Sequence, residues 1–378
     1  MANNVVLHFR AEAAPLGYLA ILTPESTRQL VEAGMKVHVE RSTVRCFADQ
    51  EYEAVGAKLV PPDSWPDAPI DHIILGIKEP ENLKDIQALK HTHIYSGYYY
   101  KQQKNSVEGL QRYIRGGGTF LDLGSTKHGI GNQTDVFGRF TGIGGFAAAL
   151  KAWRHQLEHP DGVTPMQPVK IHDSLESLVQ EAKANLDKGI EITGRYPRVA
   201  IVGPAGRTGS GCLSLCRAVG IPENNILKWG REETSRPGPR DDLLQSDILV
   251  NCLYTNRRIN PLIDDQALKR PRKLSIIVDI SCDYQGPYHA LPIYWQPSHF
   301  DNLAMPVSVP FGPPLTVVAC NYYAAMVPRD TSEYATKALL PFFTSLIGWK
   351  QGETWRKLER LFWVKSDAIP QSERLAKL

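Results

Sequence analysis

Residues 198–212, RVAIVGPAGRTGSGC, constrain the fold of this chain more than any other stretch. A short run of β-favouring residues ends in glycines, and a helix-like segment, LSLCRAVG, follows directly. This order predicts a strand, a glycine turn and a helix start, an arrangement that presents free backbone N–H groups to a pyrophosphate. The glycines are spaced GxxGxxG and not GxGxxG, so the pattern is a looser form of the dinucleotide-binding motif. A glycine-rich turn without a ligand is the alternative interpretation.

The residues of this turn have different expected roles. Gly203 and Gly206 suit the tight turn and the close approach of a phosphate, and Gly209 suits close packing of helix against strand. Arg207 and Thr208 lie between them and complete the predicted cofactor-binding turn.

The end of the next predicted strand, ILKW, bears on the choice of nucleotide. NAD-binding units usually place an acidic residue there, about 20 residues after the glycine turn, to bind the ribose 2′-hydroxyl. This chain has Gly230 followed by Arg231, with Arg236 nearby. Loss of the carboxylate removes a group that repels a 2′-phosphate, and an arginine can pair with that phosphate. We therefore expect NADP(H) to be favoured over NAD(H); a solvated surface arginine with NAD still used is the alternative.

Short β-like runs separated by helical segments recur in two series. This alternation predicts an α/β protein with two Rossmann-like, doubly wound domains and an interdomain cleft. We expect a discontinuous catalytic domain, residues 1–135 plus 330–378, and a dinucleotide-binding domain, residues 136–329. The predicted strands are VVLHF, KVHVE, HIILGI, HIYSG and TFLDL in the first series, and VAIV, ILKW, DILVNCL and SIIVDIS in the second.

Composition excludes several classes of protein. The chain has 378 residues, of which 42% are hydrophobic, enough for two ordinary cores. A net charge of +3 argues against nucleic acid or a membrane surface as partner. No run of 18 apolar residues occurs, and the six cysteines form no CxxC pair. The chain ends in Ala-Lys-Leu, a variant of the peroxisomal Ser-Lys-Leu signal, so we expect a peroxisomal protein, or otherwise a cytoplasmic one.

Histidine spacing gives little support for a metal. His155 and His159 have i,i+4 spacing on a predicted helix, and His91 and His93 form a second pair. Neither pair has an obvious third ligand, so we expect no metal site.

Two strand ends in the first series carry groups suited to proton transfer. Lys78 follows HIILGI, at the sheet edge where open α/β folds bind ligands, and burial there would lower its pKa. The stretch SGYYYKQQ supplies Tyr98, Tyr99 and Lys101 as a proton donor and carboxylate partner. The alternatives are a solvated lysine and half-buried aromatic residues that only pack.

Several segments occurring in order, including FRAEAAPLGYLAILTPEST, GIKEPEN, VGPAGRTGSG, ILKWGREETSR and VPRDTSE, resemble fungal saccharopine dehydrogenase (NAD, L-lysine-forming). The RxE…LTP and KEP elements are more distantly similar to alanine dehydrogenase and transhydrogenase. The resemblance implies pyridine-nucleotide-linked oxidation of a secondary amine to an imine, followed by hydrolysis to lysine and 2-oxoglutarate.

The resemblance also assigns residues. Lys78 matches the catalytic lysine, and Glu79 and Lys101 are present, whereas Tyr98 stands in the place of a catalytic histidine. Thr208 stands in the place of a cysteine that would pair with Cys252, so that disulfide is not expected. Cofactor contacts are expected from Cys252, Leu253, Tyr254 and Asp279. Residues expected on the substrate side are Glu79, Leu19 in the place of an arginine, Gly124 in the place of a glutamate, Asn321 in the place of an aspartate, and Arg139 near a missing arginine.

These changes suggest imine or secondary-amine redox chemistry on a substrate other than saccharopine. The expected partner is a small amine, imine or amino-acid-like molecule, and the expected state is a monomer or weak homodimer. A working saccharopine dehydrogenase with a rebuilt pocket, an amino-acid dehydrogenase and a nucleotide-binding pseudoenzyme remain as alternatives.

Overall fold

The computed structural model describes residues 5–80, 86–97, 99–101, 106–124, 136–162, 164–236, 240–253, 258–284, 286 and 288–374. The chain divides into two compact units, one made of Met1–Val136 and Pro328–Leu378 and the other of Phe137–Val327. Each unit contains a six-stranded sheet. The expected α/β class with two Rossmann-like domains is confirmed.

The sheet of the first unit is wholly parallel, with strand order β3-β2-β1-β4-β5-β6. This is the doubly wound order in which the chain reverses direction across the sheet between β1 and β4. The strands are β1 Val6–Phe9, β2 Lys36–Glu40, β3 Lys58–Val60, β4 Ile73–Leu75, β5 Thr92–Tyr95 and β6 Thr119–Asp122. The helices, numbered in chain order, are α1 Pro24–Glu32, α2 Asp49–Glu53, α3 Ser106–Gly116, α9 Pro328–Thr344, α10 Glu353–Asp367 and α11 Gln371–Arg374.

The C-terminal helices are integral to the first unit. The Ser332 hydroxyl in α9 accepts a hydrogen bond from the Ala20 N–H at 2.9 Å, and the Thr336 hydroxyl donates to the Ile21 carbonyl at 3.1 Å. Trp355 and Phe362 in α10 are fully buried. The two hydrogen bonds join α9 to the loop that precedes α1, and α10 buries its aromatic residues within the same unit.

The sheet of the second unit has the order β11-β12-β10-β9-β7-β8, in which β11 alone is antiparallel among the described strands. Here the order reverses between β7 and β9. The strands are β7 Val199–Val202, β8 Ile226–Trp229, β9 Ile248–Asn251, β10 Ile276–Asp279, β11 Met305–Val307 and β12 Leu315–Val318. The helices are α4 Gly138–Glu158, α5 Leu175–Thr193, α6 Arg207–Ala218, α7 Arg231–Ser235 and α8 Asp241–Leu244.

All nine predicted strands are present, because apolar runs such as VAIV and IIVD are buried on both faces of a parallel sheet. The structure adds β3, β11 and β12. The run LTVV of β12 follows FGPP directly and so reads as part of a loop in the sequence. None of the described helices combines the length and the apolarity that a membrane crossing requires.

Glycines set the distance between α4 and α6. A β-carbon at Gly142 would lie 1.9 Å from the Thr208 carbonyl oxygen, and one at Gly211 would lie 2.0 Å from the Arg139 carbonyl oxygen. Both clashes are with backbone, which cannot rotate away as a side chain can. The helix that follows the glycine turn is therefore held against α4 by backbone contact.

We predict that Gly211→Ala destabilises the protein by about 1–3 kcal/mol or more, because α4 and α6 must separate to admit the methyl group. Gly352→Ala is the matched control, since its nearest neighbour would be 3.5 Å from the new carbon and its φ is negative. The control should cost less than about 1 kcal/mol. Denaturant unfolding measures both, and equal values would contradict the close-packing interpretation.

Candidate active site

The first unit places its polar groups at the sheet edge where the strand order reverses. The loop after β1 carries Arg10 and Glu12, and the loop after β4 carries Lys78. Open α/β sheets bind ligands beyond the carboxyl ends of their strands at such a reversal. Lys78, which is partly buried, therefore lies at a position suited to a ligand.

A buried ion pair fixes the backbone at Lys78. Arg10 Nη2 lies 2.9 Å from Glu12 Oε1, and both side chains are only 3% exposed. The Glu12 carboxylate accepts a hydrogen bond from the Ile77 N–H at 2.7 Å, and the Arg10 guanidinium donates to the Lys78 carbonyl. A β-carbon at Gly76 would lie 2.4 Å from the guanidinium, so glycine is needed to admit Arg10. The pair thus joins the two loops on either side of the reversal.

These hydrogen bonds offset the cost of burying the two charges of the pair. Burial raises the pKa of Glu12, whereas the Arg10 charge and the N–H groups of Ile77 and Lys78 lower it. A buried ion pair is tolerable when each charge is compensated in this way, and it becomes costly when one partner is removed.

Glu79, the next residue after Lys78, is held by a chain of tyrosines. Tyr99 donates a hydrogen bond to Glu79 Oε1 at 2.5 Å, and Arg112 lies 3.7 Å from the same oxygen. The Tyr95 hydroxyl lies 2.9 Å from that of Tyr99 and 3.0 Å from that of Tyr113. Burial raises the pKa of Tyr99 far above its ordinary value, so Tyr99 stays protonated and donates to Glu79. Burial also raises the pKa of Glu79, against the effects of Tyr99 and Arg112.

Asp122, at the end of β6, orders two further loops at this edge. Its buried carboxylate accepts hydrogen bonds from the N–H groups of Gly97 at 3.3 Å and Gly124 at 2.9 Å. Gly97 immediately precedes Tyr98. Tyr98 and Tyr254 lie outside the described residues, as does the side chain of Lys101.

Sequence reasoning did not select Arg10, Glu12 or Asp122 as site residues. A usable signal was present, because R-x-E directly follows the predicted strand VVLHF, and Asp122 is the last residue but one of the predicted strand TFLDL. Charged residues at the carboxyl end of a buried parallel strand are candidate site residues, because ligands bind at that edge of the sheet.

The remaining residues expected on the substrate side fall in both units. In the first unit, Leu19 is buried at 4% exposure in the loop before α1, and Gly124 follows β6. In the second unit, Arg139 is exposed in the first turn of α4, and Asn321 is exposed after β12. Their assignment to the substrate stays a prediction.

The glycine turn of the second unit has the form that a pyrophosphate requires. Gly203 has a φ of 82°, and the Gly206 N–H donates to the Gly203 carbonyl at 3.1 Å. A β-carbon at Gly209 would lie 2.2 Å from the Gly203 oxygen, so only glycine allows α6 to start here. Arg207 and Thr208 form the first turn of α6, whose free N–H groups suit an anion. The residues present therefore fit a dinucleotide.

The loop after β9 lies beside this turn. A β-carbon at Gly203 would be 3.2 Å from the Cys252 carbonyl oxygen, and the Leu253 N–H donates to Asn251 Oδ1 at 3.1 Å. Asp279, at the end of β10, is 1% exposed. Its carboxylate accepts hydrogen bonds from Asn251 at 2.9 Å and from Tyr294 at 2.7 Å, among others. Asp279 is thus engaged in ordering the loops around the turn.

Two thiols meet beneath the turn. Cys212 Sγ lies 3.7 Å from Cys252 Sγ, so a cysteine one helical turn after Thr208 faces Cys252. From the sequence, only position 208 was considered as a disulfide partner for Cys252, and Thr208 has no thiol. Because i and i+4 share a helix face, Cys212 approaches the same neighbour from the next turn.

The region after β8 is acidic as well as basic. Gly230 caps α7, and its N–H donates to Glu233 Oε2 at 2.7 Å. A β-carbon at Gly230 would lie 3.4 Å from that oxygen, so the Glu233 carboxylate lies beside the space of the missing side chain. Arg236 is paired with Glu232 at 2.6 Å, and Arg231 is exposed.

We predict that Glu12→Gln lowers the free energy of unfolding by about 3–5 kcal/mol, because it leaves the Arg10 charge buried without its partner. The double variant Arg10→Met/Glu12→Gln should lose less than the sum of the single variants, as expected for contacting residues. The exposed pair of Arg28 and Glu25 provides the control, and Glu25→Gln should leave the unfolding midpoint nearly unchanged, because solvent screens an exposed pair. Additive losses in denaturant unfolding would show that the two groups act independently.

Comparison with known proteins agrees with the α/β fold. The sequence profile of the alanine dehydrogenase/PNT N-terminal domain matches residues 9–143. Among solved structures, the fold is similar to an L-alanine dehydrogenase (TM-score 0.64, 17% identity, 95% of this chain and 94% of that one). It is also similar to a transhydrogenase from Sinorhizobium meliloti (TM-score 0.57, 15% identity, 90% and 94% coverage).

Curated relatives are more similar in sequence and bear on the nucleotide. The saccharopine dehydrogenase [NAD(+), L-lysine-forming] of Neurospora crassa is 39% identical over 97% of this chain and 98% of its own length. The enzyme of the same name from Yarrowia lipolytica is 38% identical over 96% and 98%. The expected preference for NADP(H) is wrong, because these relatives are NAD(+) enzymes by name. In the structure, a carboxylate of Glu233 lies at Gly230, and Arg236 is paired with Glu232, so the region after β8 is not purely basic as the sequence suggested. The chain belongs to the saccharopine dehydrogenase (L-lysine-forming) family of pyridine-nucleotide-dependent oxidoreductases that act on carbon–nitrogen bonds.

Proposed function

We propose that this protein is an NAD(H)-dependent oxidoreductase that interconverts an imine and a secondary amine, with Lys78 as its acid–base group. The observation that carries the proposal is the presence of Lys78 at the strand-order reversal, fixed by the Arg10–Glu12 pair. By resemblance Lys78 matches the family's catalytic lysine, and the chain is similar to lysine-forming saccharopine dehydrogenases along nearly its whole length.

The residues of the chain have separate tasks in this mechanism. NADH, when bound, supplies the hydride that the imine carbon accepts. The Lys78 ammonium gives a proton to the nitrogen, so that the C=N bond becomes an amine, and in the reverse direction the neutral lysine takes that proton back. Arg10 and Glu12 hold the lysine's backbone. The bonded chain from Tyr113 to Tyr99 holds the Glu79 carboxylate beside it.

We propose that Glu233 replaces the absent carboxylate at position 230 as the acceptor for the ribose hydroxyls. The support is its contact with the Gly230 N–H at the end of the second strand of the unit, where NAD-binding domains place an acidic residue. A carboxylate there also disfavours a 2′-phosphate by charge repulsion.

We predict that Glu233→Ala weakens NADH binding by about tenfold or more, since a charge-assisted hydrogen bond is lost. NADPH binding should weaken less, or improve, because the repulsion is also lost. Glu232→Ala is the control on the same helical turn, and it should leave NADH affinity within about twofold. Fluorescence titration of both nucleotides measures the effect. Unchanged NADH affinity in Glu233→Ala would remove Glu233 from the ribose site.

For the substrate, we propose an amine or imine that lacks one of the carboxylates of saccharopine. The support is Leu19, an apolar residue in the place of the family's arginine. When an arginine that binds a substrate carboxylate is lost, a substrate that keeps that carboxylate binds more weakly by several kcal/mol. Saccharopine itself is the second candidate, favoured by the similarity along the whole chain.

The proposed function is tested by NADH oxidation with saccharopine precursors, cyclic imines and amine–carbonyl pairs. We expect turnover with at least one imine, loss of that turnover in Lys78→Met, and unchanged NADH affinity. Lys90→Met, at an exposed lysine of the same unit, should keep full activity. Full activity in Lys78→Met would refute the role of the lysine. NADH binding without turnover of any pair would instead favour a pseudoenzyme, and turnover of lysine with 2-oxoglutarate would identify a saccharopine dehydrogenase.

A further inference from the structure

Three histidines converge on one face of the sheet in the first unit. His8 in β1 is the register partner of His38 in β2, and His72 lies two residues before Ile74, which pairs with His8 on the other side. Alternate residues of a strand share a face, so the three imidazoles lie on the same side. One ligand atom from each lies within 4.8 Å of the other two. We propose that His8, His38 and His72 bind a divalent first-row metal ion, with Zn²⁺ as the favoured ion.

Glu40 prepares His8 for this role. Its Oε1 lies 3.0 Å from His8 Nε2, and its two oxygens also accept hydrogen bonds from the N–H groups of Ala11, Asp63 and Trp65. With these bonds made, the fully buried carboxylate is an outer partner and not a ligand. Metal-binding histidines usually have such a carboxylate on their other ring nitrogen, which fixes the ring and its tautomer. His8 Nδ1 is then the nitrogen offered to the metal.

Two ring nitrogens of the cluster are buried without a partner among the described residues. They are His8 Nδ1 and His72 Nδ1. A buried polar atom without a hydrogen bond costs about 1–3 kcal/mol, so native proteins rarely leave two of them side by side. A metal ion satisfies both atoms at once.

The ligand set selects the ion. Neutral imidazoles favour Zn²⁺, Cu²⁺ or Ni²⁺ over Mg²⁺ and Ca²⁺, which prefer oxygen ligands. His38 is half-buried, so it can rotate to contract the cluster, and solvent can supply a fourth ligand. The site joins β1, β2 and the residue before β4, and His8 lies two residues before Arg10 in the chain. A bound ion would therefore stabilise the strands that carry the Arg10–Glu12 pair.

The test is titration of the chelator-treated full-length protein with Zn²⁺ against a chromophoric chelator, and with Co²⁺ by visible absorption. We expect one equivalent to bind at micromolar concentration. His38→Gln should lower the affinity by at least about 100-fold, since loss of a supporting group alone costs 10–100-fold. His38 is chosen because it is the most exposed of the three, so its variant retains the fold. Zn²⁺ should also raise the unfolding temperature of the unaltered protein and not that of His38→Gln.

Two controls separate this site from other histidines. His299→Gln alters an exposed histidine of the second unit, and His155→Gln alters the helical pair whose rings lie 4.7 Å apart. Both should bind Zn²⁺ as the unaltered protein does. The proposal is overturned if the unaltered protein binds no Zn²⁺ below about 100 µM, if His38→Gln binds with full affinity, or if His155→Gln abolishes binding.

Discussion

The buried pair of Arg10 and Glu12 is the interaction on which the catalytic edge of the first unit depends. It reaches from the loop after β1 to the loop after β4, and it bonds the backbone on both sides of Lys78. A buried ion pair contributes little to net stability when it is complete, but it tolerates very few alternative geometries. The main effect of the pair is therefore to fix the position of the Lys78 backbone at the strand-order reversal, from which the flexible side chain extends.

The second unit reaches the same kind of precision by steric contact. Gly209 and Gly211 leave no room for a side chain between α6 and its neighbours, so the helix can start only where the turn places it. Free N–H groups at that start then bind an anion without any charged side chain. The two units thus both contain a six-stranded sheet but hold their functional edges by different physical means, ionic bonds in one and backbone contact in the other.

The nucleotide preference shows how local sequence can mislead. In the sequence, Gly230 followed by Arg231 indicates a loss of negative charge, because the motif expects the acidic residue at that one position. In the folded chain the capping bond of α7 brings Glu233 back to Gly230, and Glu232 neutralises Arg236. A carboxylate three residues further along the sequence therefore lies beside the space of the missing side chain. A thiol is likewise found at a neighbouring position: Cys212, one helical turn after Thr208, faces Cys252.

The sequence by itself determined the two α/β units, the nine principal strands, the glycine turn and the location of Lys78 at a strand end. These features follow from the spacing of apolar residues and from the conformational limits of glycine, which are properties of short segments. Tertiary structure alone decided what each charged group faces: Glu12 against Ile77, Tyr99 against Glu79, and the three histidines against one another. Such partners are tens of residues apart in the chain and meet only because parallel strands align their ends, so no local pattern encodes them.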